Sequence, residues 1–399
     1  MPSAVATIGI PANLEKSIAV VESDPAEQEC RRDLLARAFE MRSGRERPGR
    51  FWKIDIDALD YSAVLAASPA APHVSTPSNS AVVAIDLRAA LRSHREIAER
   101  ASGKAVDPRA SKFAALAAAL HNTGAFVYVP ADIALDEPIE ITYDATDGAL
   151  FPYTLVVLER GAQCTIIERL TGCAGAFVCG ITEIVAAENA TATYAVDQQL
   201  PTDATVLFTR GANPGKDARV NWAVAELGAR LSVTSVDVNV QNPGVQADVA
   251  GIFFPHGEEH VDLISTVEHN VGNSQSDTMV KSAAAGRGQG RYVGNIRIVQ
   301  HAQGTEAWLH DDALLLSQKA HIDSVPALEI AANDVKAYHG ATVGAIDEEQ
   351  IFYMTSRGID RDSAEKMIAL GFFEPALERF PTQALRERLR TALESKVLG

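Results

Sequence analysis

Arg230-Leu-Ser-Val-Thr-Ser-Val-Asp-Val-Asn-Val240 is the segment that most clearly indicates secondary structure in this chain. Apolar and polar side chains alternate along most of its eleven residues, which is the period of a strand with one buried face. Similar segments follow one another between residues 125 and 339, separated by Gly, Asn and Pro residues at intervals of roughly 8–14 residues, as strands are by turns. The middle of the chain is therefore predicted to be almost continuous β-structure.

Two architectures fit about 215 residues of strand pattern without a convincing helix. One is a large sandwich or barrel, and the other is a β-solenoid whose coils stack along one axis. No strict six-residue or nine-residue repeat is visible to distinguish them. The length favours the solenoid, because a sandwich rarely needs so many strands. The pattern alone leaves both architectures open.

Helical patterns flank this β-region on both sides. On the N-terminal side we expect helices from residue 24, over residues 86–103 and over residues 112–121, with linkers at 42–50 and 66–82. On the C-terminal side, Asp347 caps a helix that ends at Gly358. A second helix is predicted from Asp360 to Gly371, and a third over residues 382–397. The predicted domains are an N-terminal helical region (1–120), a β-core (121–345) and a C-terminal helical domain (346–399).

The charge balance excludes several classes of partner. The 36 Lys and Arg residues against 52 Asp and Glu residues give a formal charge of −16. Such a chain is unsuited to neutralising the phosphates of a nucleic acid or an anionic membrane surface. Residues 1–16 show no signal-peptide pattern, no apolar run is long enough to span a bilayer, and four cysteines are too few for a disulfide framework. We expect a cytoplasmic protein with neither a nucleic-acid nor a membrane partner.

Histidines are concentrated in the last third of the chain. Seven of the ten lie between residues 256 and 339, and imidazole is the commonest metal ligand in proteins. His260 and Asp262 share one face of a predicted strand, and His269 is placed to join them across a turn. Any single histidine is more often a hydrogen-bonded structural residue than a ligand, so the roles of His260 and His269 stay open. At least one functional histidine among the seven is expected.

A longer motif points to a known family. Residues 327–358 are ALEIAANDVKAYHGATVGAIDEEQIFYMTSRG, and this segment strongly resembles the closing section of the SufB/SufD family of iron–sulfur cluster assembly proteins. The resemblance continues upstream through Gly294-Asn-Ile-Arg-Ile-Val and Leu314-Leu-Leu-Ser317. It covers residues 120–375 well and the first 100 residues only loosely.

Within this family the chain resembles the SufD branch. The SufB branch carries a cysteine where this chain has Ala320, and a glutamate where it has Gly340. The SufD branch keeps the histidine of the closing motif, here His339. Many of its members also have a cysteine two residues earlier, where this chain has Ala337. Because residues two apart on a strand share a face, His339 has an alanine neighbour there in place of a thiol.

The resemblance implies a fold, a ligand and cofactors. The family fold is a right-handed parallel β-helix flanked by N-terminal and C-terminal helical regions, in agreement with the helix–strand–helix pattern. His339 is the implied metal or cluster ligand, with Lys336 and Tyr338 as supporting residues, and no catalytic residue is implied. No intrinsic cofactor is expected; an iron–sulfur cluster forms transiently at the SufB interface, and a reduced flavin bound by the full complex is the candidate electron donor.

The resemblance also implies partners. SufB pairs with the β-helix, and the ATPase SufC docks on the C-terminal helical domain. The candidate SufC contacts are Phe352, Tyr353, Arg357, Met367 and Phe372. The isolated chain is also a candidate homodimer. ATP hydrolysis then belongs to SufC, and this chain is a non-catalytic subunit.

Two other functions were weighed against this interpretation. A carbohydrate-active β-helix enzyme is the first, but an acidic protein repels an acidic polysaccharide. A purely structural SufC-binding platform, in which His339 binds no metal, is the second. Ala337 favours this second alternative, because it removes the neighbouring thiol.

Overall fold

The computed structural model describes residues 10–20, 25–41, 71–146 and 149–398. The linker expected at 42–50 and the first part of the loop expected at 66–82 lie outside these residues. Among the described residues, no helix combines the length and apolar character needed to cross a bilayer.

Helices stand at both ends of a long series of strands. The helices are α1 (Ala12–Val20), α2 (Pro25–Glu40), α3 (Leu87–Ser93), α4 (Arg95–Ala101), α5 (Lys112–Leu120), α6 (Glu348–Ser356), α7 (Arg361–Leu377) and α8 (Gln383–Leu398). The strands are β1 (His73–Val74), β2 (Val83–Asp86), β3 (Thr123–Val129), β4 (Ile139–Ala145), β5 (Pro152–Leu158), β6 (Gln163–Gly172), β7 (Phe177–Ala186), β8 (Thr191–Gln198), β9 (Thr205–Pro214), β10 (Arg219–Glu226), β11 (Leu231–Val240), β12 (Gln246–Phe253), β13 (His260–His269), β14 (Gln275–Ala284), β15 (Gln289–Ile298), β16 (Thr305–Leu315), β17 (His321–Ile330) and β18 (Val335–Ala345).

The strands form two nine-stranded sheets. Sheet A has the order β1-β4-β6-β8-β10-β12-β14-β16-β18, and sheet B has the order β17-β15-β13-β11-β9-β7-β5-β3-β2. From β3 onward the chain alternates between the sheets, and neighbours within each sheet pair in parallel. The molecule is therefore a parallel β-solenoid of about eight turns. The solenoid prediction is confirmed, and the sandwich or barrel alternative is wrong.

One corner of the solenoid repeats a left-handed backbone conformation. Seven of the eight turns that lead from a sheet B strand to the next sheet A strand contain a residue with φ between 56° and 75°, and the turn from β17 to β18 is the exception. Only Gly, Asn and Asp adopt this region at little energetic cost. The residues are Asp132, Gly161, Asn189, Asp217, Gly244, Asn273 and Gly304, spaced 27 to 31 positions apart. This spacing is the length of one coil.

The solenoid interior is a stack of apolar columns. One column, built from residues directly opposite one another in sheet A, contains Ile139, Ile166, Tyr194, Trp222, Val249, Thr278, Leu309 and His339. Every member before His339 is at most 2% exposed. Because strand side chains alternate between faces, the other face of each sheet points outward.

Helices cover the outer faces. α1, α2 and α5 pack on sheet B against residues such as Ile181, Leu207 and Ile264. α7 and α8 pack on sheet A against residues such as Ala223 and Ile252. The stripe Leu385, Leu389 and Leu393 is fully buried there, as its four-residue spacing predicts.

Two predicted helices have different limits in the structure. The segment 86–103 forms two helices, because His94 (φ −134°, ψ 32°) leaves the helical conformation between them. The helix expected to end at Gly371 continues to Leu377 through Pro375. Its last turns bury Phe373, Ala376 and Leu377 against sheet A, and this burial outweighs the weak helix propensity of glycine.

The two ends of the solenoid differ. At the N-terminal end, the short strands β1 and β2 pair antiparallel with β4 and β3 and are the outermost strands of the two sheets. At the other end, β17 and β18 are the last strands of their sheets, and no described strand pairs with their outer edges. We call the surface formed by β17 and β18 the open end.

Candidate functional site

The open end presents unpaired strand edges. Strand β18 has eleven residues, most of them exposed, and only β16 pairs with it among the described strands. Ile330 of β17 and Val343 of β18 are large apolar residues that are 42% and 46% exposed. Long exposed edges with apolar side chains are a template for pairing with another chain. The open end therefore has the character of an interface.

His339 lies at this end and faces the solenoid interior. It is opposite Leu309 of β16, and its same-face neighbours Val335 and Ala337 pack against the interior core. It is the last member of the buried column described above and is itself exposed, because no further coil covers it. An imidazole that packs on apolar residues and is exposed on its other side can coordinate, through a ring nitrogen, a metal brought by a partner.

Asp311 is an interior carboxyl group one coil below His339, on the adjacent strand β16. It is fully buried on β16 and lies opposite Ala341, two residues beyond His339. The Ser324 hydroxyl of β17 donates to its Oδ2 across the interior, whereas its Oδ1 has no hydrogen-bond partner. Burial raises the pKa of Asp311 to about 7.

Asp311 and its neighbour Asp312 on β16 face opposite ways, as adjacent residues of a strand do. Asp312 points outward, accepts hydrogen bonds from Lys281 and Thr342, and has a lowered pKa, because these hydrogen bonds outweigh its burial. The alternation of side chains along β16 was the sequence signal that could have placed Asp311. Since Ala307 and Leu309 are interior positions, Asp311 must be interior as well.

The two predicted supporting residues lie on the other face of β18. Lys336 forms a 2.7 Å ion pair with Glu306, and the ring of Tyr338 lies 5.2 Å from that of His310. Both partners belong to the outward face of β16. The structure therefore does not bring Lys336 and Tyr338 together with the imidazole of His339.

His260 and His269 have local partners. His269 is fully buried, and its Nδ1 and Nε2 atoms lie 2.8 and 2.9 Å from the hydroxyls of Ser274 and Ser276. Burial lowers its pKa to about 4. On the outer face of sheet B, His260 lies 3.1 Å from Asp262, which also binds Arg291. Both contacts fit structural roles.

The tail residues predicted to contact a partner divide into two groups. Phe352, Tyr353 and Met367 are more than half exposed, and the Arg357 guanidinium lies 5.1 Å from the ring centre of Tyr353. Phe372 instead packs inward, with its ring centre 4.7 Å from the Lys281 ammonium nitrogen. Four of the five side chains are therefore available on the surface of α6 and α7.

Within the described part of the chain, no group of three or more His, Cys, Asp or Glu side chains is arranged to hold a metal ion. The described residues of this chain thus supply an incomplete set of ligands.

Comparison with known proteins agrees with this architecture. A family model described as SUF system FeS cluster assembly, SufBD core domain, matches residues 141–372, from β4 into α7. The chain is 29% identical over 357 residues to the iron–sulfur cluster assembly protein SufD of Bacillus subtilis (strain 168), covering 86% of this chain and 81% of that protein.

Relatives of lower identity match a smaller share of this chain. The chain is 26% identical over 303 residues to iron–sulfur cluster assembly SufBD family proteins of Staphylococcus haemolyticus (strain JCSC1435) and Staphylococcus epidermidis (strain ATCC 12228 / FDA PCI 1200), covering 75% of this chain and 65% of each of them. Because the core-domain match extends over more than half of its residues, the chain belongs to the SufB/SufD family of iron–sulfur cluster assembly proteins.

Proposed function

We propose that this chain is the SufD-like subunit of an iron–sulfur cluster assembly complex. It pairs with SufB through the open end, offers the His339 imidazole to the nascent cluster, and carries SufC on its C-terminal helices. The observation that carries the proposal is the position of His339. A buried column of interior side chains ends in an exposed imidazole at the surface best suited to a partner.

Pairing at the open end is supported by the asymmetry of the solenoid. At the N-terminal end the outermost strands β1 and β2 have only two and four residues, whereas β17 and β18 offer edges of ten and eleven residues to another chain within the described solenoid. A partner that adds strands there covers Ile330 and Val343 and places its own residues above His339. A second copy of this chain fits the same surface and explains a homodimer of the isolated chain.

The cluster is cargo for this subunit, and its chemistry suits the site. Ferrous iron accepts imidazole nitrogen together with thiolate or sulfide sulfur. Since Ala337 supplies no thiolate on the face of His339, the sulfur ligands come from SufB or from incoming sulfide.

Docking of SufC is supported by the surface of α6 and α7. Phe352, Tyr353 and Met367 are exposed together with Arg357, and aromatic, Met and Arg side chains are enriched in protein interfaces. The same helical region rests on sheet A through α7 and α8, so force applied to the tail by a partner acts on the solenoid. ATP hydrolysis belongs to SufC, and this subunit is non-catalytic.

A flavin site is not assigned to this chain. Two clefts of the described residues, of about 450 and 440 Å³, are lined by residues 297–300 and 329–331 and by residues of β6 and β8 with Arg388. Neither lining includes an aromatic side chain that could stack on a flavin ring. The reduced flavin stays a proposal for the assembled complex.

A structural platform without a ligand role is the second candidate function. The incomplete ligand set and Ala337 favour it. The substitution His339→Ala separates the two functions. We expect it to abolish cluster formation in the reconstituted complex, measured as bound iron and acid-labile sulfide, while the subunits still co-elute. A full cluster yield in that variant would show that the chain acts only as a platform.

A further inference from the structure

We propose that Asp311 is a second ligand of this chain for the incoming ferrous ion, so that Asp311 and His339 form a half-site which the partner completes. This inference rests on the proposed function of His339 and adds to it a carboxylate from the neighbouring coil. It concerns the interior faces of β16 and β18, the last two strands of sheet A.

The first argument is placement. Asp311 and His339 lie on adjacent parallel strands and on the same interior face, and the residue opposite Asp311 is Ala341. Neighbouring strands about 4.8 Å apart and an offset of two residues put the two Cα atoms about 8 Å from one another. An imidazole, a carboxylate and one ion between them span this distance. Ala341 carries only a methyl group, so no side chain fills the space above Asp311 at that position.

The second argument is an unsatisfied carboxylate oxygen. Asp311 is fully buried, and its Oδ1 lacks any hydrogen-bond partner, although an unpaired buried polar atom is costly. The Ser282 hydroxyl, also buried and without a partner, lies two coils from the open end on the same face. Strand β14 places Val280 directly opposite Asp311, with Ser282 two residues further. An ion bound at the open end gives Asp311 Oδ1 the partner that it lacks within the chain.

The third argument is access. Ser324, whose hydroxyl donates to Asp311 Oδ2, is only partly buried on the last strand of sheet B. Asp311 is therefore one side chain away from the surface where His339 is exposed. The hydrogen bond holds Oδ2 and orients the carboxyl group, leaving Oδ1 for an ion that enters past Ser324.

The chemistry of the pair fits ferrous iron. One imidazole nitrogen and one carboxylate oxygen are ligands that Fe(II) accepts and that leave most coordination positions open. A site of two residues holds the ion loosely, as delivery to a cluster requires.

The test is ferrous-ion affinity of the full-length chain under anaerobic conditions, measured by competition with a colorimetric chelator. Asp311→Asn keeps the size of the side chain and an acceptor for Ser324, so the variant is expected to fold. Asp312→Asn is the matched control, because it removes the adjacent carboxylate on the outward face. Ser324→Ala is a second variant, which frees the carboxylate without removing it.

We expect Asp311→Asn and His339→Ala each to weaken ferrous-ion binding by about tenfold or more, Ser324→Ala to change it by less, and Asp312→Asn to leave it within about twofold. Unchanged affinity in Asp311→Asn with a loss in His339→Ala overturns this inference and leaves the role of His339 intact. Unchanged affinity in both variants overturns the inference and the ligand role of His339 together. An equal loss in Asp312→Asn also overturns it, since the effect would then be one of general charge.

Discussion

A buried ion pair inside the solenoid allows a quantitative prediction. Arg210 of β9 and Glu168 of β6 are both fully buried, and Arg210 Nη2 lies 2.8 Å from Glu168 Oε1. Arg210 Nη1 also donates to the Thr182 hydroxyl at 2.9 Å. The Tyr194 hydroxyl donates to the other carboxylate oxygen of Glu168 at 2.6 Å. Replacing Arg210 by methionine keeps an unbranched side chain of similar length and removes only the charge and its donors.

The expected magnitude follows from the charge that is left behind. In Arg210→Met, the carboxylate of Glu168 keeps the Tyr194 hydrogen bond but loses its counterion in the buried interior. Breaking a buried pair in this way costs about 3–5 kcal/mol. The double variant Glu168→Gln with Arg210→Met removes both charges, and we expect a loss of no more than about 2 kcal/mol, because no buried charge then lacks a partner.

The assay is the free energy of unfolding from urea titrations of the wild type, both single variants and the double variant at neutral pH. If the two charges are coupled, the double variant has a larger free energy of unfolding than Arg210→Met. If Arg210→Met loses less than about 1 kcal/mol, or if the double variant is as unstable as that single variant, the reasoning about the buried charge is refuted.

Two further predictions concern pH and the interface. The pKa of His269 is about 4 because of burial, against about 6.5 in an unfolded chain, so the unfolded state binds the extra proton between these values. Its contribution to the free energy of unfolding is complete above pH 6.5 and is lost as the pH falls toward 4, by up to about 2 kcal/mol between pH 7 and pH 5. Urea titrations at the two pH values measure this change in the free energy of unfolding. The change should be smaller in His269→Gln than in the wild type, and it should be unaltered in the control His301→Gln, whose side chain is exposed. An equal change in all three proteins contradicts the prediction. For the interface, Val343→Lys places a charge on the interior face of the open edge and should weaken association with SufB more than tenfold, while the unfolding free energy changes by less than about 0.5 kcal/mol. Sedimentation of the mixed subunits measures this, with Ser395→Lys on α8 as the control, and unaltered association in Val343→Lys rules out pairing through β18.

The element types were predictable from local pattern. Alternation along residues 230–240 identified β11, the acidic caps at Asp347 and Asp360 marked the starts of α6 and α7, and the leucine spacing in α8 identified its buried stripe. The family resemblance in residues 327–358 also led to the SufB/SufD family, which the match over residues 141–372 confirms.

The choice between a sandwich and a solenoid was not predictable from short repeats, because the coil length is 27 to 31 residues. A signal existed at that spacing in the corner series that includes Asn189, Asp217 and Gly244. Each of these residue types tolerates positive φ, but three different amino acids at slightly unequal spacing do not form a visible sequence repeat.

Local sequence therefore specified the strands, the helix caps and the histidine of the closing motif, since periodicity and residue chemistry act between near neighbours. It did not specify which side chains meet. Lys336 and Tyr338 are adjacent to His339 in sequence yet lie across the sheet from its imidazole, whereas Asp311 is far from it in sequence and one coil away in space. The reason is physical: in a strand, neighbours in sequence face opposite ways, and the neighbours that share a face are supplied by the next coil, whose register only the folded solenoid fixes.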